Sequence, residues 1–151
     1  MNKAELIAAA KAQWAATEAS VAAAAKGNFD AKPAGTEWSA AEYYRHVVDV
    51  VHKTPEAIEQ LKHGQPLTAL ASGDPQGLED FKTLTAKMLP VELNTAHGIV
   101  WMALQKLTDA DLEKSMEMGG RTFTLGGFLE IILVGHEQQH IEDAAKAAGV
   151  A

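Results

Sequence analysis

His136 and His140 stand in the run His136-Glu137-Gln138-Gln139-His140. On a helix this spacing places two imidazoles one turn apart on the same face, where both can reach one divalent ion. The glutamate after the first histidine completes a His-Glu-x-x-His signature, in which Glu137 is the candidate general base acting on a metal-bound water. A metalloprotease reading fails downstream. The metzincin form needs glycine and histidine where this sequence has Asp143 and Lys146, and the sequence ends at Ala151. A third ligand is therefore expected from upstream. Alone, the pair fits equally well with histidines that are exposed or hydrogen-bonded within a core.

His46 is the upstream candidate, in the segment Trp38-Ser39-Ala40-Ala41-Glu42-Tyr43-Tyr44-Arg45-His46. At about 100° per residue it borders an apolar face made by Tyr43, Val47, Val48, Val50 and Val51, where a ligand could meet both an ion and water. Carboxylates within helical reach are expected to orient the rings as outer partners: Asp143 for His140, and Glu42 and Asp49 for His46. Surface solvation is the equal alternative for those carboxylates. His97 is expected to be a structural or pocket-lining residue, His52 and His63 carry no assigned role, and Trp14, Trp101, Met88 and Met102 are expected to fill core space.

These residues must be held by helices, because apolar positions recur at helical spacing and almost no segment alternates. Met1 to Ala25 reads as a first amphipathic helix, not a leader, since Glu5, Lys11, Gln13 and Glu18 interrupt each apolar run. Gly27 to Glu37 is a loop. Ser39 and Glu42 form a capping box that starts a second helix at Ala40, running to about His63 with a kink or restart at Thr54-Pro55. Gly64 to Gly77, with Pro66, Gly73 and Pro75, is a long loop, and a third helix is expected from Leu78 to Leu107, bent at Pro90. Thr108 to Phe123 connects, with a short turn at Asp109 to Lys114. Thr124 caps a fourth helix reaching about Ala148. On its face Leu125, Leu129, Ile132, Leu133, His136, His140, Asp143 and Ala147 align, and a second stripe of Ile131, Val134, Ile141 and Ala145 lies almost opposite. The fold class expected is all-α, a four-helix bundle with long connections, occupying residues 1–151 as one domain.

Composition narrows the function classes. Twenty acidic against thirteen basic residues give a formal charge of −7, which repels phosphate backbones and argues against nucleic-acid binding. No run approaches the ~18 apolar residues of a membrane span, and a cytoplasmic protein is expected. There is no cysteine, hence no disulfide, thiolate ligand or cysteine nucleophile. A thiol taking part in any chemistry would have to come from a substrate. A ferritin-like di-iron bundle needs two Glu-x-x-His motifs, and Glu137-x-x-His140 is the single one present.

Trp38-Ser39 followed by Glu42 and His46, with His136-x-x-x-His140 on the last helix, resembles the DinB-like (YfiT-like) superfamily of metal-binding four-helix bundles, and the helical layout extends the likeness over nearly the whole chain. The resemblance implies that His46, His136 and His140 hold a divalent metal ion, zinc or nickel foremost, with positions left open. It also implies a homodimer and a small-molecule substrate, since relatives include thiol S-transferases and isomerases that use low-molecular-weight thiols. The expected function is thus a metal-dependent thiol S-transferase or a related hydrolase or isomerase. The alternative is a non-catalytic bundle that binds or sequesters a small molecule around a structural metal.

Overall fold

In a computed structural model, which describes residues 1–70 and 76–151, the first long helix, α1, spans Lys3–Ala24. Asn2 and Glu5 close it with a reciprocal capping box. Its buried positions, Leu6, Ala10, Gln13, Trp14, Thr17, Val21 and Ala24, follow the three-to-four spacing of one helical face. Helix α2, Ala40–Lys62, starts at the Ser39–Glu42 capping box and runs through Pro55 without the expected restart. Thr54 lies one residue earlier, and its hydroxyl donates to the Val50 carbonyl.

The third helix differs from expectation. A short α3, Gln76–Asp80, is separated by turns from α4, Leu89–Gln105. Pro90 sits in the first turn of α4, where its missing N–H has no intrahelical partner to lose, so it starts the helix and does not bend it. Of the loop expected from Gly64 to Gly77, residues 71–75 lie outside the described residues.

After α5, Asp109–Leu112, the expected connection contains an antiparallel hairpin, β1 (Ser115–Met118) with β2 (Arg121–Thr124). Gly119 and Gly120 turn it with φ of 58° and 75°, the positive values that a two-residue hairpin turn requires. Thr124 then caps α6, Leu125–Glu130, accepting from the Gly127 amide. The helical path continues through a π-helical turn, Ile131–His136, into α7, Glu137–Ala148.

The four long helices close a ring, with α2 against α4 and α7, and α1 against α7 and α4. Across its centre lie Leu93, Val100, Leu104, Leu129, Leu133, Val47 and Tyr44, all essentially inaccessible. Each such side chain stabilises the fold by about 1.5–3 kcal/mol through burial. Three core assignments need correction. Trp14 is buried, but Trp101 is 38% exposed and Met102 53%, on the outer face of α4, and Met88, which precedes that helix, is 46% exposed. The second stripe of the last helix is not one face either: Ile141 is in the core, whereas Ile131 is exposed.

The cause is the wide turn. Buried positions at Leu129, Leu133, Glu137 and Ile141 recur every four residues, which would drift by about 40° per step around a regular α-helix. A π-helical turn, with more residues per revolution, absorbs that drift. Glu137 therefore faces the bundle interior, and His136 and His140 lie half-buried on its flank, not at the centre where uniform helical spacing placed them.

Candidate metal centre

Because α2 packs along α7, His46 from the second turn of α2 meets His136 and His140 at the seam between them. The Nε2 atoms converge: His46 to His136 is 3.2 Å and His140 to His136 is 3.1 Å. All three rings offer nitrogens within 4.8 Å of one another, and the group could hold a metal ion. Trp38 and Tyr43 wall the cluster. The Trp38 ring centroid lies 5.1 Å from that of His46, and Tyr43 lies 5.8 Å from His140. Tyr43 precedes His46 by one helical turn and Trp38 by eight residues, ahead of the Ser39 cap, so the sequence marks both as aromatic neighbours of the ligand without showing that they wall the site.

Burial lowers the basicity of all three imidazoles. It brings His46 down to about 4, with the like charge of His140 adding to it, and His136 to about 3, with His140 and His46 adding. His140 is also lowered by burial, opposed by Asp143 and Glu37. The rings are thus neutral at pH 7, as metal ligands must be. A neutral imidazole nitrogen either donates or accepts, so three mutually facing Nε2 atoms cannot all be satisfied by one another. A shared cation would resolve this. Bonds of about 2.1 Å to one ion separate ligand nitrogens by about 3.0–3.4 Å, the spacing of the His46–His136 and His140–His136 pairs. The residues fit such an ion, and an all-imidazole set suits zinc, nickel, copper or iron.

In the metal-free chain these shifts set an acid sensitivity. Unfolded histidines titrate near ~6.5, so below that pH the unfolded chain takes up protons that the folded chain refuses until about 4 to 3. Stability is fully present above about 6.5 and falls as pH drops through that window. Urea midpoints in chelator at pH 7.5, 6.0 and 5.0 should therefore decline, and decline less in a His46→Leu, His136→Leu double variant. Parallel declines in both proteins would show that the imidazoles are not responsible.

The carboxylates expected around the site are placed differently. Glu137 is not brought to the imidazoles: its Oε1 lies 3.0 Å from His97 Nε2 and its Oε2 accepts from the Thr17 hydroxyl at 2.7 Å, toward α4 and α1. Glu42 is occupied in the cap, accepting from the Ser39 amide and hydroxyl. Asp49 pairs with Lys53 at 3.0 Å and abuts Gly77 of α3, where a Cβ would overlap its carboxyl group. Both carboxylates are thus engaged in local structure. Asp143 does approach a ring: its Oδ2 is 3.6 Å from His140 Nδ1, beyond hydrogen-bond length but close enough to oppose the loss of basicity. Among the described residues, the buried Nδ1 of His136 has no hydrogen-bond partner. His97 is buried and stacked on Trp14 at 4.8 Å, outside the cluster. His52 bridges to Glu92 of α4 at 2.7 Å and stacks on Phe81, a link between helices that its type and position alone do not reveal.

Among the described residues no helix is long and apolar enough to cross a membrane. Comparison with curated protein sequences gives no match. A crystal structure of an uncharacterised protein from Escherichia coli UTI89 superimposes with a TM-score of 0.66 over 99% of this chain and 96% of that one. At 16% identity this is a likeness of fold. The sequence model of the DinB superfamily matches residues 9–144, which include all three converging histidines, and the chain belongs to that superfamily.

Proposed function

We propose that His46, His136 and His140 hold one divalent ion, zinc or nickel, and that the protein is a cytoplasmic metal-dependent enzyme of the thiol S-transferase kind or a related hydrolase or isomerase. The convergence of the three rings carries this reading, with His136 Nε2 3.1–3.2 Å from those of His140 and His46 and all three offering nitrogens within 4.8 Å of one another. Superfamily membership supports it. When bound, such an ion supplies Lewis-acid activation of a water or a small thiol. The chain contributes orientation and shelter: Trp38 and Tyr43 exclude water from one side, and Asp143 holds negative charge beside His140. With no cysteine in the chain, a participating thiol comes from outside it, and the likeness to thiol-dependent relatives points to a low-molecular-weight one.

Protein loaded with zinc or with nickel and mixed with cysteine, glutathione or cysteamine should accelerate thioether formation on 1-chloro-2,4-dinitrobenzene, with chloride leaving as the thiolate adds. Chelation should abolish the acceleration. No acceleration with any of these thiols and either ion would remove the S-transferase reading and leave a bundle that binds without catalysis. A homodimer belongs to the same proposal, with Val91, Ile99 and Met102 on the outer face of α4 as the exposed apolar surface. Sedimentation of the same samples reads the mass, and a monomer at micromolar concentration would remove the dimer.

A further inference from the structure

Glu137 follows a proposed ligand directly, yet its carboxylate points across the bundle. Helices α7 and α1 are neighbours, whereas α4 lies on the far side of the ring, and Glu137 bonds to both, through Thr17 and His97. The carboxylate is 1% exposed, Thr17 fully buried and His97 6% exposed. Gln13 extends the network to the Thr17 hydroxyl at 3.4 Å, and the Trp14 ring stacked on His97 fixes that imidazole from the side.

Its position along the chain gives this network a purpose. The preceding segment, Ile131–His136, is π-helical, and this wide turn leaves the regular i→i−4 ladder. The rotational phase of the helix therefore differs, from Glu137 onward, from that of an uninterrupted α-helix. Glu137 is the first residue after it, and its one carboxylate ties that shifted phase to two other helices.

We infer that Glu137 is a positioning residue for the three-histidine centre: its bonds to Thr17 and His97 lock the rotational phase of α7, and so aim His136 and His140 at His46. The inference rests on the metal-site proposal above and replaces the general-base role that its place in the His-Glu-x-x-His run suggests. The magnitudes favour it. An imidazole tip about 6 Å from the helix axis moves about 1.5 Å for a rotation of about 15°, whereas ligand distances tolerate only about 0.2 Å.

The test is the affinity for zinc ion, by competition with a chromophoric chelator, in the full chain and in Glu137→Gln, Glu137→Met and Thr17→Val. Each is measured at a temperature where circular dichroism shows it fully folded. Glutamine keeps both links, its carbonyl accepting from His97 and its amide donating to Thr17, but it cannot act as a base. Glu137→Gln should bind zinc within about threefold of wild type, and Glu137→Met, which fills the space without the links, should bind about 10–100-fold more weakly, the range for losing an outer partner of a ligand. Folded Glu137→Met binding like wild type would overturn the inference, as would Glu137→Gln losing as much as Glu137→Met. Should Glu137→Met not fold, Thr17→Val carries the test: several-fold weaker binding supports the lock, and unchanged binding overturns it. Wild type that binds no zinc would instead overturn the metal site itself.

Discussion

His136→Ala is expected to abolish stoichiometric metal binding, lowering zinc affinity by well over ~100-fold, more than the loss of an outer partner costs. His136 is the ring whose Nε2 meets both of the others, so its removal leaves two nitrogens with no shared vertex. The effect on stability should depend on the metal. In zinc-loaded wild type, binding to the folded state adds about 4 kcal/mol when free zinc is ~1,000 times the dissociation constant, and the variant forfeits that gain. In chelator the variant should be as stable as wild type or more so, because it removes a buried nitrogen without a partner and relieves the mutual facing of three neutral acceptors or donors. Metal content per chain and thermal unfolding with and without chelator read both halves. A variant that keeps its metal would refute the site. One that loses more than about 2 kcal/mol in chelator would show that His136 holds the fold without any ion.

Gly27→Ala is expected to destabilise the protein by about 2–3 kcal/mol, at the upper end for overpacking. Gly27 follows the end of α1 and touches the end of α7: a methyl there would overlap the Ala148 carbonyl oxygen and crowd Val150. The next residue, Asn28, donates its amide to that same carbonyl at 2.9 Å, so the two helix ends cannot separate without breaking a backbone bond. Urea unfolding should show a lower midpoint at an unchanged slope. A midpoint within error of wild type would mean that the junction yields freely.

Much of the scaffold was legible because local chemistry and tertiary packing agree. Ser39 with Glu42, and Thr124, announced helix starts that the structure keeps, since their side chains satisfy amides that no helix can satisfy internally. The hairpin at Ser115–Thr124 was passed over, although Gly119-Gly120 between residues alternating around Met116, Met118 and Phe123 is a hairpin signal; strands of four residues carry too short a pattern to compete with a connection. At the site, spacing marked His136 and His140 as a pair, and the resemblance to a known superfamily added His46, which the structure groups with them. The orientation of Glu137 was not, because it depends on a π-helical turn that no residue in Ile131–His136 marks, and a fixed 100° step carries the error onward through His136, His140 and Ile141. Glu42 and Asp49 were assigned by angle, and angle cannot show that a cap and a neighbouring α3 had already claimed them.

The π-helical turn makes the centre depend on a count of residues. Between the Thr124 cap and His136 the π-helical stretch takes more residues per revolution than an α-helix does, so the phase at which His136 arrives depends on how many residues the stretch contains. Part of the information that aims the imidazoles is thus stored in length, beside the part that Glu137 supplies through its bonds, and no single residue of the segment carries it. Related chains that keep both histidines but differ by one residue in this stretch would carry the same letters and present them to a different helix.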